Sequence, residues 1–454
     1  RFKSDADPHI QIKGLIGSLD AVIAATIYRE HPGISLYVME DREQAAYFVN
    51  DLQNLLPEAT ILLYPPSFKR PYEYAEVDNA NVLARAEILN KLNVTQHTPL
   101  LIVTYPEAMS EKVINKRSLL ANTFTIKTGE RLDHSFLTEF LNEYGFEVTD
   151  FVFEPGQFSV RGGIVDIFSY ASEYPYRIEL FGDEVESIRS FSPETQLSME
   201  AVKQVNIIPD IEQKLTHESR ESFLDFFPED SLLWFKDVEM LLEITEKGFE
   251  KAQKALMETT GGGVQVVSDP DELFETRRGL LQRIKKFKTV EFGRRFYFKA
   301  TPSVEMPYPK YPSRPQPSIN KDFQRLIDNF EENQSNGYTN IIAAEQARQL
   351  DRLERIFEDI NPFVRFQGLH LSLREGFIDD HLKIACYTDH QIFSRFHRYR
   401  LKDRFSKTKA ITLKELKTLQ PGDYVTHVDY GIGRFAGMEK VDVNGKMQEA
   451  VRLV

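Results

Sequence analysis

Ser35-Leu-Tyr-Val-Met-Glu-Asp-Arg-Glu-Gln-Ala-Ala-Tyr-Phe-Val-Asn-Asp-Leu-Gln-Asn-Leu-Leu-Pro-Glu-Ala-Thr-Ile-Leu-Leu-Tyr64 changes its apolar period twice. Ser35 to Met39 is almost continuously apolar, as a parallel strand buried on both faces must be. Ala45, Phe48, Val49, Leu52 and Leu56 then recur at helical spacing, which predicts an amphipathic helix over Asp41 to Leu56. Thr60 to Tyr64 returns to strand character. The same rhythm continues outward, with a helix expected at Val77 to Leu92 and a strand at Leu100 to Tyr105, so the region from Ile10 to about Arg117 reads as a parallel α/β domain.

Beyond Thr123 the rhythm becomes short alternating strands: Phe146 to Phe153, Phe158 to Arg161, Ile164 to Phe168, Arg177 to Phe181, Val185 to Phe191 and Val202 to Ile208. This predicts an α+β insert rich in antiparallel strands. Helices at His217 to Phe226 and Val238 to Met257 are expected to carry the chain back to the first domain, followed by a glycine loop at Thr259-Thr-Gly-Gly-Gly and a helix at Asp269 to Arg283. Prolines crowd Pro302 to Pro317, where neither helix nor central strand is tolerated, so an extended linker is expected. Helices at Asp322 to Glu332 and Glu345 to Ile360, with strands at Thr339 to Ala343 and Leu382 to Tyr387, then form a small α/β unit. From Leu413 short strands punctuated by Gly422, Gly431, Gly433 and the Asn444-Gly445 turn suggest part of a small β-barrel, expected to be incomplete at Val454.

The chain has 454 residues, more than one core usually organises, so a multidomain α/β protein is the expectation. No apolar run reaches the ~18 residues of a membrane span, and the one cysteine, Cys386, excludes an intramolecular disulfide or a multi-cysteine zinc site; a cytoplasmic location is expected. A net charge of −13 disfavours phosphate backbones, and the basic clusters Arg283 to Lys288 and His397 to Lys409 read as solvated faces, leaving DNA contact weak. The aromatic and basic residues Tyr64, Phe68, Lys69, Arg70, Tyr72 and Tyr74 read as loop packing rather than a stacking platform for single strands.

A phosphate loop should follow the first strand of such a domain, and Gly14-Leu-Ile-Gly17-Ser18-Leu19-Asp20-Ala21 stands there. Gly-x-x-x-x-Gly-Lys-Ser/Thr uses its second glycine to let amides wrap phosphate, its lysine for the β and γ phosphates, and its hydroxyl for magnesium. Leu19, Asp20 and Ala21 occupy those positions, and the Asp20 carboxylate would repel phosphate. Nucleotide binding and catalysis are therefore not expected, and no cofactor is assigned. His390 and His397 have no companions at metal-ligand spacing, so no metal site is assigned either.

Glu154-Pro-Gly-Gln-Phe-Ser-Val-Arg-Gly-Gly-Ile-Val-Asp-Ile-Phe-Ser169, with Tyr176-Arg-Ile-Glu-Leu-Phe-Gly-Asp-Glu-Val-Glu-Ser-Ile-Arg189, resembles the UvrA-binding domain shared by UvrB proteins and bacterial transcription-repair coupling factors. Gly422-Asp-Tyr-Val-Thr-His-Val-Asp-Tyr-Gly-Ile-Gly-Arg-Phe-Ala-Gly437 resembles the RNA-polymerase-interacting domain of the coupling factors, which UvrB lacks. The pair selects the coupling factors. The resemblance implies a degenerate, helicase-like parallel domain (residues 1–117), an inserted UvrA-binding domain (118–208), a return to the UvrB-like module (209–313), a small third α/β domain (314–396), a linker (397–412) and the start of the polymerase-interacting domain (413–454). The family's DNA-translocating motor, with its ATP and magnesium, is expected further along in such proteins.

On strand alternation, Arg177, Glu179 and Phe181 share one face while Ile178 and Leu180 face the core, and Arg161 ends the neighbouring strand. By resemblance Arg161, Arg177 and Phe181 stand at positions that contact UvrA. The competing reading pairs Arg177 with Glu179 or Asp183 and lets Phe181 cap its own core. The resemblance also implies that the polymerase β subunit adds a strand to an exposed edge, for which Met438 to Val443 is the candidate, Met438 and Val441 being the expected contacts. The expected role is non-catalytic recruitment; the alternatives are a UvrB-like damage-recognition subunit and a DNA-binding adaptor.

Overall fold

The computed structural model describes residues 8–67, 79–94, 98–210, 219–260, 270–298, 311–395, 397, 420, 422–427, 431–443 and 446–453. The aromatic and basic stretch at 68–74, the glycines 261–263, most of the basic connector and the 444–445 turn lie outside them. The chain divides into two compact units, residues 1–405 and 406–454.

Among the described residues the first sheet is wholly parallel, in the order His9–Gln11, Lys288–Glu291, Leu232–Phe235, Ile34–Val38, Leu100–Thr104, Ile61–Leu63. Ile34–Val38 and Leu100–Thr104 are buried at every residue, which is what their unbroken apolar sequences require between two helical layers. The helix Arg42–Leu55 starts where the Asp41 carboxylate accepts the Gln44 amide, and it buries Ala45, Phe48, Val49 and Leu52 against one face. After Leu100–Thr104 the chain leaves the sheet, and it re-enters at Leu232–Phe235, beside Ile34–Val38. Leu232–Phe235 and Lys288–Glu291 are strands that the apolar pattern does not announce.

The intervening segment forms a second sheet, ordered Ser198–Ala201, Glu184–Phe191, Tyr176–Phe181, Ile164–Ile167, Gln157–Arg161, Glu147–Val148. Its pairings are antiparallel except between Glu147–Val148 and Gln157–Phe158. One face is apolar, with Phe158, Val165, Ile167, Ile178 and Ile188 packed against Leu137 and Leu141 of the helix His134–Glu143.

Three expectations change. His217 to Phe226 is not a helix where it is described: Arg220–Glu221 pairs with Val113–Ile114, and a 3-10 turn over Phe223–Phe226 follows, closed by a capping box between Ser222 and Asp225. Phe223, Leu224 and Phe226 are all buried there, apolar on too many sides for an amphipathic helix, and Pro228 ends the turn. Asp269 to Arg283 splits into helices Pro270–Leu273 and Arg277–Ile284, because Phe274 bridges to Glu111 and Thr276 restarts the helix by accepting the Gly279 amide. The proline-rich stretch is not linker throughout, since Ser313–Pro315 pairs with Phe377–Asp379 as a sheet edge, where a missing proline N–H is tolerated.

That edge belongs to a mixed sheet ordered Ser313–Pro315, Phe377–Asp379, Ile384–Thr388, Thr339–Ala344, Gln367–His370. Helices Phe323–Ser335 and Ala347–Ile360 cover one face through Leu326, Ile327, Phe330, Leu353 and Phe357. The other face meets the first domain: Ala343, Leu373, Phe377 and Cys386 pack on Leu19. Burial there pushes the Cys386 thiol up to about 12, so it is an inert packing group. The second unit is a meander of Tyr424–His427, Gly431–Val443 and Lys446–Leu453. No helix among the described residues is long and apolar enough to cross a membrane.

Candidate functional site

The second sheet turns a polar face away from its helix. Cross-strand register places Ser159, Asp166, Arg177 and Arg189 in one row, and Arg161, Ile164, Glu179 and Ser187 in the next. Asp166 is completely buried, and two guanidiniums hold it. Arg177 grips it bidentately, Nε to Oδ1 at 2.8 Å and Nη2 to Oδ2 at 2.9 Å, while Arg161 Nη2 shares Oδ2. Hydrogen bonding to Asp166 raises the Arg177 guanidinium above its ordinary value. Arg177 also donates through Nη1 to the Gln196 carbonyl at 3.2 Å and stacks on buried Phe191.

Arg177 pairs with Asp166 and not, as the competing reading expects, with Glu179 or Asp183. Glu179 is taken by Arg189 and by the Ser187 hydroxyl at 2.7 Å. The carboxylate that holds Arg177 is Asp166, inside the quoted Ile-Val-Asp-Ile motif yet not singled out by sequence, because its apolar neighbours make it look like an ordinary strand position.

Phe181 ends its strand 80% exposed, so it does not cap the domain's own core. Beside its strand the Arg161 hairpin turns through Gly162, at φ +61°, and Gly163, where a Cβ would collide with the Leu180 carbonyl. The Arg161 side chain is 38% exposed, and its guanidinium lies over the Phe151 ring. Ile178 is buried and Leu180 half-buried against the core, as alternation requires.

The phosphate-loop position is occupied by the chain itself. Ser18 donates its amide to the Glu375 carbonyl at 3.1 Å, and Glu375 N–H donates to Ser18 Oγ at 3.0 Å. Ser18 Oγ in turn donates to Asp51 at 2.5 Å, and Asp51 accepts the Arg374 amide at 2.8 Å. Gly17, at φ +59°, has the backbone of Gly376 against its open side. Asp20 is paired with Lys236 Nζ at 2.6 Å, so its carboxylate has a cation of its own. Asp51 is 2% exposed, and burial raises its carboxyl to about 7. Leu19 and Ala21 are buried, and Gly14 holds a positive φ of +91° beside Tyr311.

In the second unit Met438 and Val441 pair with Val451 and Gln448. Tyr424–His427 reaches only Gly431–Arg434, so among the described residues nothing pairs with the other edge of Met438–Val443. Arg283, from the basic cluster, is paired with Asp225 at 3.1 Å and Glu275 at 3.5 Å.

Residues 124–212 match the family model described as the UvrB interaction domain, and residues 419–454 match the CarD-like/TRCF RID domain. The chain is thus a mixed α/β protein with one stretch that matches a UvrB interaction domain and another that matches a RID domain. Along nearly its whole length it is similar to the transcription-repair-coupling factors, which bears out the resemblance carried by Glu154–Ser169 and Gly422–Gly437. It is 24% identical to that of Bacillus subtilis (strain 168), over 96% of this chain and 42% of that protein. For Myxococcus xanthus the figures are 25%, 97% and 43%, and for Escherichia coli (strain K12) 22%, 97% and 43%. The chain therefore spans about two fifths of the length of these relatives.

Proposed function

We propose that this chain is a non-catalytic recruitment region that binds UvrA through the inserted domain and RNA polymerase through the terminal unit, coupling stalled transcription to nucleotide excision repair. The observation that carries the reading is the joining of a UvrB interaction domain and a RID domain in one chain. Arg161 and Phe181 supply a cation and a large exposed ring on the polar sheet face, the composition of an interface hot spot. The edge at Met438–Val443, which no strand among the described residues pairs with, suits strand addition by the polymerase β subunit, whose main-chain groups would complete its ladder.

The Ser18–Glu375 contact supports a region without ATP chemistry, since the Ser18 amide that a phosphate would use is already bonded and the Glu375 backbone lies against the loop. It weighs against a UvrB-like catalytic subunit. The pairing of Arg283 with two carboxylates weighs against a DNA adaptor acting through that cluster, leaving DNA contact weak. In this reading residues 1–117 and 209–313 make the UvrB-like module, 118–208 the inserted UvrA-binding domain, 314–396 a third domain, 397–412 a linker and 413–454 the start of the polymerase-interacting domain. Mixing the chain with UvrA and RNA polymerase tests it: a single complex containing both is expected, and failure of the chain to bring them together overturns it.

A further inference from the structure

Arg177 is only 16% exposed, and its donors are committed inward. Two of its nitrogens hold Asp166 and the third holds the Gln196 carbonyl. Gln196 has a left-handed backbone, φ +59°, a conformation that is strained for a non-glycine residue and persists only where neighbours fix it. Its side-chain amide bridges to the Val152 carbonyl at 3.1 Å and to the Pro193 carbonyl at 2.6 Å. The Ser159 hydroxyl anchors the same loop by donating to the Asp150 carbonyl at 3.0 Å. A continuous chain of bonds therefore runs from Asp166 through Arg177 and Gln196 to Val152. It ties the turn at 192–197 to the loop at 149–154, over the small buried cluster of Val152, Phe168 and Phe191.

Each tied segment displays an apolar side chain: Leu197 is 68% exposed and Phe151 45%. Phe151 lies beneath Arg161, on the face that carries Phe181. We propose that Arg177 is a positioning residue, which holds these two segments so that Leu197 and Phe151 touch the partner beside Arg161 and Phe181. The proposal rests on the UvrA reading and deepens it. Two arginines around one carboxylate leave a single net positive charge, so the complementary surface is apolar with an acidic group opposite Arg161.

The test is a binding cycle with the whole chain and purified UvrA, comparing the parent, Leu197→Ser, Arg177→Lys and the double variant, with Phe181→Ala as reference. Leu197 is exposed, so Leu197→Ser folds; Arg177→Lys keeps a cation for Asp166 but loses the fork. Leu197→Ser and Arg177→Lys are each expected to weaken binding about tenfold, with the double variant no weaker than the worse single, because one acts through the other. Amide exchange in 150–154 and 193–197 should rise in Arg177→Lys. Parent-like binding by Leu197→Ser, or losses that multiply to about a hundredfold, overturns the proposal. If Phe181→Ala still loses affinity in that case, the UvrA reading stands; a parent chain that does not bind UvrA brings both down.

Discussion

Ser18 and Glu375, far apart in the chain, exchange hydrogen bonds: the Ser18 amide to the Glu375 carbonyl at 3.1 Å, and the Glu375 amide to Ser18 Oγ at 3.0 Å. The loop at the head of the helix Leu19–Glu30 thus lacks the phosphate-loop residues and is filled by the segment Arg374–Gly376. Restoring the missing residues alone should not restore a nucleotide site. The triple variant Leu19→Gly, Asp20→Lys, Ala21→Thr is expected to leave fluorescent ATP analogues unbound at millimolar concentration, whereas saturable binding would show that the covering segment yields.

Asp51 sits under that contact with its carboxyl raised to about 7 against 3.8 for the free group. The folded state favours the neutral acid, so Asp51's contribution is greatest at acid pH and is lost as pH rises from about 4 through about 7. Asp51→Asn imitates the neutral form, since its amide can donate to Ser18 Oγ while its oxygen accepts the Arg374 amide. Its stability gain over the parent should grow across that window and level off above it, to at most ~4 kcal/mol. Urea unfolding at pH 5 and pH 8.5 measures this, and a gain independent of pH would contradict it.

His397 behaves in the opposite sense. Burial, then the neighbouring His390, lowers it to about 4, with the two rings 4.7 Å apart and His397 Nε2 3.0 Å from Ser372 Oγ. The folded state favours the neutral ring, so its contribution is full above pH 6.5 and is lost as pH falls toward 4. His397→Gln is expected to flatten the decline of melting temperature between pH 7 and pH 5, and an unchanged decline would exclude His397 as its source.

Asp166 is the post on which two arginines hang. Asp166→Ala leaves both guanidiniums without their shared carboxylate and should destabilise the inserted domain by ~3–5 kcal/mol, the usual cost of breaking a buried pair from one side. Circular dichroism during urea unfolding reads it; Trp234 fluorescence does not, because that indole lies in the first sheet. A loss below ~1 kcal/mol would mean that the arginines find other partners.

On the proposed strand addition, Val441→Arg changes the unpaired edge while leaving UvrA binding alone. Polymerase affinity is expected to fall with UvrA affinity unchanged, and unaltered polymerase binding would remove Met438–Val443 from the interface.

What could be read from the sequence was local. Ile34–Val38 and Leu100–Thr104 were legible because strands buried on both faces are apolar at every position, and Arg42–Leu55 because Ala45, Phe48, Val49 and Leu52 recur at helical spacing. Lys288–Glu291 was not, since its buried residues include Thr289 and Glu291. These are satisfied by His9 Nδ1 at 2.7 Å and Gln11 Nε2 at 3.0 Å, partners from the other end of the domain. Phe181's exposure followed from alternation along its strand. The inward commitment of Arg177 did not, because it depends on which residue of a neighbouring strand stands opposite, and no pattern near Ser18 announces Glu375.

The most direct trial of the recruitment account is calorimetric titration of the purified chain with UvrA, parent beside Phe181→Ala. A saturable complex that loses ~2 kcal/mol or more, about thirtyfold in affinity, on truncation of that ring is the predicted result. Equal affinity of the two chains, or no heat of binding from the parent, would contradict it.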